Sequence, residues 1–167
     1  MKETENTFLT LINQHKAIIH KISKMYMNDA EEQRDLFQEI VFQLWKAYPS
    51  FKGNSKFTTW MYRVCLNTAI ICFKKESRKV DKTPYDGNID IIDVNENEGK
   101  EEKLAYLYTA VQELNAIEKA LIFLFLENQS HREIAENLGI SEVNARVKLN
   151  RTKEKLQFII KKNGYEF

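Results

Sequence analysis

One acidic stretch that lacks helical periodicity divides this chain and constrains its fold more than any other feature. Residues 80–102 contain Pro84 and Gly87 and hold 8 acidic against 2 basic residues. Helix breakers and clustered charge are typical of a linker, and a structureless loop of this length is uncommon within a compact domain. We therefore expect two small domains, residues 1–79 and 103–167, joined by a flexible acidic linker. The alternative is a long loop within a single domain.

The composition of the two flanking segments favours an all-α protein. Hydrophobic residues make up 43% of the 167 residues and charged residues 29%, whereas there are only 5 glycines and 2 prolines. Apolar spacings of three and four residues predict three helices before the stretch and four after it. Their approximate bounds are 6–27, 30–48 and 57–75, then 102–114, 117–127, 130–137 and 141–162.

Charge is distributed unevenly along the chain. The net charge is +1, but residues 1–79 hold 13 basic against 8 acidic residues, and residues 103–167 hold 10 against 8. Two cationic segments on either side of an anionic one indicate an acidic partner such as nucleic acid for each of them.

The second segment contains the local signals of a helix-turn-helix. Ser130 and Glu133 have the spacing of a capping box, Gly139 provides a turn residue, and Ser141 is placed to cap the next helix. Ala135 is small at the position where two helices must cross closely. A purely structural helical hairpin could share these signals.

The helix that follows Ser141 has the chemistry of a DNA-recognition helix. Its predicted inward stripe is Ala145, Leu149, Thr152, Leu156 and Ile160. Between residues 144 and 155 the other faces carry five cations and one anion, a pattern expected where a helix enters a phosphate-lined groove. The candidate DNA-binding residues are Arg132, Ser141, Asn144, Arg146, Val147, Lys148, Asn150, Arg151 and Lys153. The alternative is a solvated basic face.

The second predicted helix combines a core stripe with exposed aromatic residues. We expect Phe37, Val41, Leu44 and Tyr48 to face the core. Phe42 and Trp45 fall on other faces together with Asp35, Gln38 and Glu39, which indicates a protein partner. The alternative is that the two aromatic side chains pack against the first helix.

The third predicted helix and the loop before it combine aromatic, amide and cationic side chains. Capture of an unstacked base requires such a set, because the base needs a stacking or hydrogen-bonding pocket and its backbone needs positive charge. The candidates are Lys52, Asn54, Ser55, Lys56, Trp60, Arg63, Asn67, Lys74 and Lys75. Ser55 is also the expected N-cap of the third helix, and Trp60 could equally belong to the core.

These residues together resemble a known family. The sequence DLFQEIVFQLWK at residues 35–46, followed by FKG at 51–53 and FTTWMYRVCLN at 57–67, closely resembles region 2 of sigma-70 factors. The helix-turn-helix resembles their region 4. With regions 1 and 3 missing, the chain is similar to the extracytoplasmic-function (ECF) group. Leu66 and Ala145 depart from the residues common at their positions in the family.

The resemblance implies a function and a set of partners. It implies a sigma factor that directs promoter-specific initiation by binding the beta-prime clamp and beta flap of core RNA polymerase. Asp35, Gln38, Glu39, Phe42 and Trp45 would contact the clamp. The first domain would read and melt the minus-ten element, and the second would read the minus-thirty-five element. An anti-sigma protein is a further implied partner.

Other functional classes fit the sequence less well. A stand-alone helix-turn-helix regulator is the main alternative, but it leaves the aromatic residues of the first domain unexplained. We expect no enzymatic activity, cofactor or metal, because the histidines are scattered and Cys65 and Cys72 lack metal-ligand spacing. We expect a cytoplasmic protein without membrane insertion, with both cysteines as small buried residues.

Overall fold

The computed structural model describes residues 2–80 and 98–164, which fold into two compact units, 1–74 and 75–167. The described residues form seven α-helices, one 3₁₀ turn and no β-strand, so the predicted all-α class is confirmed. Most of the predicted linker lies outside the described residues, and the predicted domain boundaries stay a prediction. None of the helices in the described ranges is long and apolar enough to cross a membrane.

Seven helices follow one another along the described chain. Their bounds are α1 (Lys2–Tyr26), α2 (Ala30–Ala47), α3 (Phe57–Val80), α4 (Glu98–Val111), α5 (Ala116–Leu126), α6 (His131–Leu138) and α7 (Glu142–Lys162). The 3₁₀ turn Tyr48–Ser50 follows α2. The prediction of three helices followed by four is confirmed. α3 runs further than predicted because no helix breaker occurs after Lys75 until Pro84, and α4 begins earlier than predicted, at Glu98.

The first unit is built around α1, α2 and α3. Apolar residues recur at spacings of three and four along α1, so one face of this helix is buried. The core of the unit consists of Phe8, Ile12, Ile19, Ile22, Tyr26, Leu36, Ile40, Leu44, Met61, Cys65, Leu66 and Ala69. Burial also raises the pKa of the Tyr26 phenol and of the Cys65 thiol above their ordinary values. Cys65 is buried as predicted, whereas Cys72 is only half-buried.

The predicted core stripe of α2 is displaced by one position. Leu44 is buried as expected, but Phe37, Val41 and Tyr48 are only half-buried, so their assignment to the core was wrong. The buried residues of α2 are Leu36, Ile40 and Leu44. Two neighbouring rows of apolar residues run along this helix at the same spacing, and only one of them is fully buried. Phe37 and Tyr48, in the other row, still contact His20 and Phe8 of α1.

In the second unit, α7 contacts α4, α5 and α6, and α5 also contacts α6. Five consecutive residues of α5, 120–124, are buried, so the middle of this helix is covered on all sides. Lys119 is also buried, and its Nζ donates to Gln112 Oε1 at 3.1 Å. Burial lowers the pKa of this ammonium to about 8. A solvated lysine would keep its charge to much higher pH, so burial of Lys119 disfavours the protonated form.

Candidate nucleic-acid interface

The helix-turn-helix predicted from local signals forms between α6 and α7. The Ser130 hydroxyl accepts from the Glu133 amide at 3.2 Å, and the Glu133 carboxylate accepts from the Ser130 amide at 2.7 Å. Gly139 ends α6 with a φ of 67°, in the left-handed region that glycine adopts without strain. Ser141 caps α7 by accepting from the Asn144 amide at 3.1 Å. Each of these predicted local contacts is confirmed.

One face of α7 anchors this helix in the unit. Ala145, Leu149, Thr152 and Leu156 are buried as predicted, but Ile159 occupies the last inward position. The prediction of Ile160 was therefore wrong, and Ile160 is half-buried.

The two residues that depart from the family pattern, Leu66 and Ala145, are both buried. Ala145 is fully buried where α7 meets its neighbours, and Leu66 in α3 is buried as well. The two departures from the family pattern therefore concern packing rather than surface contacts.

The opposite face of α7 is exposed and cationic. Most candidate DNA-binding residues of this unit lie at the surface: Arg132, Ser141, Asn144, Arg146, Val147, Lys148, Asn150 and Arg151. Two arginines pair with acids one turn away. Arg146 lies 3.7 Å from Glu142, and Arg132 lies 3.5 Å from Glu136. Such exposed pairs stabilise little, so both guanidinium groups can exchange partners at low cost.

Lys153 differs from the other candidates because it is half-buried. Its Nζ lies 3.7 Å from the centroid of the Phe125 ring at the end of α5. Lys155, two residues further along, donates to both carboxylate oxygens of Glu118 in α5, at 2.9 and 3.1 Å. Sequence reasoning missed these α5 residues, because nothing local links positions 37 residues apart in the chain.

In the first unit, a groove between α1 and α2 contains most of the exposed aromatic surface predicted for α2. The α1–α2 groove has a volume of about 530 Å³ and is lined by Glu5, Phe8, Leu9, Phe37, Gln38, Val41, Phe42 and Trp45. Phe42 is 56% exposed and Trp45 43% exposed. Asp35 is also exposed, and Glu39 is half-buried and accepts from Gln43 Nε2 at 2.9 Å.

The first helix supplies one wall of the α1–α2 groove through Glu5, Phe8 and Leu9, none of which was predicted as a site residue. The Phe8 ring lies 4.9 Å from the Trp45 ring, so Trp45 does pack partly against α1, as the alternative interpretation held. Leu9 is 48% exposed beside it. The signal in the sequence was the adjacent apolar pair Phe8 and Leu9, because only one of two neighbouring residues in a helix can face the same core.

The loop before α3 is held by an aromatic cluster of Phe51, Phe57 and Trp60. Ring centroids within the aromatic cluster lie 5.2 to 5.7 Å apart, and Tyr48 contacts Trp60 at 6.3 Å. All three rings are half-buried. Trp60 is therefore neither a fully buried core residue nor a free surface side chain.

The polar candidates for base capture lie on the loop and on the exposed face of α3. Exposed members are Lys52, Asn54, Ser55, Lys56, Arg63, Asn67, Lys74 and Lys75. The predicted N-cap role of Ser55 was wrong, because Lys56 is the residue immediately before α3. The Ser55 hydroxyl instead donates to the Lys56 carbonyl oxygen at 3.3 Å. Ser55 therefore belongs to the loop, with its backbone outside the helix.

Two family models match the chain in the order of its two units. The model of sigma-70 region 2 matches residues 11–79, and the model of sigma-70 region 4 matches residues 104–156. Together they cover well over half of the chain. The chain therefore belongs to the sigma-70 family of transcription initiation factors. Its relatives place it in the extracytoplasmic-function group of that family.

Named relatives agree with this assignment. The ECF RNA polymerase sigma factor SigX of Bacillus subtilis is 25% identical over 146 residues, which are 83% of this chain and 75% of SigX. The RNA polymerase sigma-H factor of Pseudomonas aeruginosa is 27% identical over 128 residues. That alignment covers 77% of this chain but only 59% of the Pseudomonas protein.

Solved structures share the fold. The sigma factor RpoE of Bartonella quintana, crystallised with the anti-sigma factor NepR, superposes with a TM-score of 0.70 at 18% identity. The superposition covers 96% of this chain and 98% of RpoE. CnrH, in complex with the cytosolic domain of CnrY, superposes with a TM-score of 0.67 at 17% identity and covers 94% and 89% of the two chains.

In the described ranges, no group of three His, Cys, Asp or Glu side chains is placed to hold a metal ion. The surfaces described above offer aromatic rings, amides and cations instead. These groups bind protein, bases and phosphates by contact and charge.

Proposed function

We propose that this chain directs promoter-specific initiation by binding core RNA polymerase, melting and reading the minus-ten element, and reading the minus-thirty-five element. The observation that carries the proposal is the pairing of two different surfaces in one chain. The first unit has an exposed aromatic groove and an aromatic loop, and the second has a helix-turn-helix with an exposed cationic helix. A regulator that only binds duplex DNA requires just the second of these surfaces.

The α1–α2 groove is the proposed docking surface for the polymerase clamp. Asp35, Gln38, Glu39, Phe42 and Trp45 are the proposed contacts. Two partly exposed aromatic rings beside acidic side chains fit a partner helix with an apolar stripe and basic flanks. Phe42 has the larger exposed fraction, so we expect it to lose the most solvent contact on docking.

The loop and α3 are the proposed minus-ten surface. Lys52, Asn54, Ser55, Lys56, Trp60, Arg63, Asn67, Lys74 and Lys75 are the proposed contacts. Unstacking bases costs a few kcal/mol per step. Stacking of a captured base on an aromatic ring contributes about 1–3 kcal/mol, so a few captured bases together with phosphate contacts offset that cost. Half-burial of Trp60 leaves part of its ring available for such a contact.

The exposed face of α6 and α7 is the proposed minus-thirty-five surface. Asn144, Arg146 and Asn150 lie in the first half of α7, where a recognition helix contacts base edges. Lys148 and Arg151 are the proposed phosphate contacts, with Arg132 and Ser141 at the edge of the surface. Val147, 39% exposed, is the proposed contact for a thymine methyl group.

In this proposal the protein acts without catalysis of its own, in the cytoplasm, where the polymerase is. The free energy for strand separation comes from binding. The predicted acidic linker would tether the two units, so that binding of one raises the effective concentration of the other at its DNA element. An anti-sigma protein is a proposed partner, because RpoE, which shares this fold, was crystallised with the anti-sigma factor NepR.

Run-off transcription with purified core polymerase on genomic fragments tests the proposal. We expect start sites that require the protein and that share two upstream elements at fixed spacing. Size-exclusion chromatography with core polymerase should give a one-to-one complex. A protein that binds duplex DNA but forms no such complex, and selects no start site, would be a stand-alone helix-turn-helix regulator, and the proposal would be wrong.

A further inference from the structure

Two lysines of α7 contact α5, and their partners lie at opposite ends of that helix. Lys155 reaches Glu118 in the first turn of α5, and Lys153 lies over Phe125 in the last turn. The two lysines are only two residues apart, whereas their partners lie at the two ends of an 11-residue helix. These contacts bridge α5 and the cationic helix at two separated points.

The ion pair between Lys155 and Glu118 has short distances and a mostly buried carboxylate. Lys155 Nζ lies 2.9 and 3.1 Å from the two carboxylate oxygens, and the Glu118 side chain is only 20% exposed. The same carboxylate accepts from the Asn115 amide at 2.9 Å in the capping box of α5. Because the backbone already fixes Glu118, pairing with Lys155 costs less side-chain entropy than a typical surface ion pair.

The Phe125 contact places the Lys153 ammonium 3.7 Å from the ring centroid, inside the distance at which cation–π attraction is significant. Lys153 is half-buried, whereas Lys148 and Arg151 are exposed. Among the residues that the structure describes, neither Lys148 nor Arg151 has an ion-pair partner. Between residues 146 and 155, the cations of α7 therefore fall into two groups: an exposed group of Arg146, Lys148 and Arg151, and a group of Lys153 and Lys155 that contacts α5.

We propose that Lys153 and Lys155 are positioning residues, which set the angle of α7 on DNA by holding it to α5, rather than phosphate contacts. This inference rests on the proposed function of α7 as the minus-thirty-five reader. Glu118 and Phe125 are the matching residues on α5. Of the cations between residues 146 and 155, only the exposed group of Arg146, Lys148 and Arg151 is then left for phosphate contacts.

The salt dependence of DNA binding separates the two roles. Log K falls linearly with log salt, and each lost phosphate contact makes this fall less steep by about 0.9. A positioning residue changes affinity without changing that slope. The experiment uses the holoenzyme, formed from the full chain and core polymerase, and a promoter fragment recovered from run-off transcription.

We expect Lys155→Gln to weaken binding about two- to fivefold with the slope unchanged, the range that a partly exposed ion pair supports. Glu118→Gln should weaken it similarly. A glutamine keeps the capping box, so this variant removes the charge without removing the helix cap. The double variant should be no weaker than either single variant, and Lys155→Arg should restore wild-type affinity. The control Lys148→Gln should make the fall of log K with log salt less steep by about 0.9.

Three results would overturn the inference. The first is a less steep fall of log K with log salt for Lys155→Gln or Lys153→Gln. The others are additive effects of Glu118→Gln and Lys155→Gln on DNA affinity, or wild-type affinity in both of these single variants. Hydrogen exchange on the full chain without DNA provides a second measurement, in which Glu118→Gln and Lys155→Gln should accelerate exchange of the same α7 amides. If wild-type holoenzyme selects no promoter, the proposed function fails, and the exchange experiment still decides whether the pair couples α5 to α7.

Discussion

The indole of Trp45 rests against the ring of Phe8, 4.9 Å away, while 43% of the Trp45 side chain stays exposed. Phe8 is itself buried, so a side chain of the α1 core supports the aromatic surface of α2. An aromatic ring held in one orientation loses little conformational entropy when a partner binds it. This contact therefore lowers the entropy cost of the docking proposed for the α1–α2 groove.

Phe42 should contribute to polymerase binding without contributing to stability. Its side chain is 56% exposed, so Phe42→Ala removes little buried surface, and the free energy of unfolding should change by less than about 0.5 kcal/mol. If the ring is a binding hot spot, the Kd for core polymerase should rise roughly thirtyfold, or about 2 kcal/mol. Fluorescence titration with labelled protein measures this change.

Ile71→Ala is the matched control for Phe42→Ala, since Ile71 is also 56% exposed and lies in α3, away from the groove. It should leave the Kd for core polymerase unchanged. Equal loss of affinity in both variants would show that exposed apolar area in general, rather than the α1–α2 groove, controls binding.

Gly139 should be sensitive to any added β-carbon. Its φ of 67° is unfavourable for other residues, although open space surrounds the position. Gly139→Ala should therefore lower the free energy of unfolding by about 1–2 kcal/mol through backbone strain alone. Gly139→Asn should cost less, because asparagine tolerates this conformation better. Urea unfolding of the full chain compares the three proteins, and equal stability of the alanine variant would contradict this explanation of the turn.

Lys119 should make stability depend on pH. Burial lowers its pKa to about 8 from the ordinary value of 10.5, so between these values the unfolded chain holds a proton that the folded chain has released. The free energy of unfolding should then rise with pH in this window, by up to about 1.4 kcal/mol per pH unit. Urea unfolding at pH 7.5, 9 and 10 measures the rise.

Lys119→Met provides the reference for that measurement, because it removes the titrating group and keeps an unbranched apolar chain. Burial raises the pKa values of Tyr26 and Cys65, so their contribution to the free energy of unfolding falls as pH rises above the pKa values of these groups in the unfolded chain. This fall is common to wild type and variant. The difference in unfolding free energy between wild type and variant isolates Lys119. A difference that stays constant from pH 7.5 to 10 would show that Lys119 is fully solvated.

Arg146 and Arg151 should differ in what they contribute to promoter recognition. Arg146→Ala should cost about 1–3 kcal/mol on the preferred minus-thirty-five element and relax the preference at one base pair. Arg151→Ala should weaken binding equally on all sequences, because a phosphate contact reads no base. Binding of each holoenzyme to a set of single-base variants distinguishes these patterns, and a uniform loss for Arg146→Ala would assign it to the backbone.

The parts of the fold that depend on local chemistry were predictable from the sequence. The capping box at Ser130, the turn at Gly139 and the cap at Ser141 each involve residues within three or four positions, and all three were confirmed. Their geometry depends on hydrogen bonds that a short segment makes by itself. The helix-turn-helix could therefore be located before its surroundings were known.

Features that depend on tertiary packing were less predictable. Two apolar rows run along α2, and periodicity cannot tell which of them is buried, so Phe37 and Val41 were predicted to face the core in place of Leu36 and Ile40. At the end of α7, Ile159 and Ile160 are adjacent and equally apolar, and packing against neighbouring helices selects the first. The orientation of Lys153 toward Phe125 likewise depends on a helix that is distant in sequence.

The aromatic contacts of the first unit also restrict how this protein can be redesigned. Phe8 contacts both Trp45 and Tyr48, and Tyr48 contacts Trp60, so a continuous series of rings connects the α1–α2 groove with the loop before α3. A chimera that imports α2 and the 3₁₀ turn from a relative would place different side chains against Phe8 and Trp60 together. A transplant of the groove between such proteins therefore requires α1, α2, the 3₁₀ turn and the loop to be moved as one block.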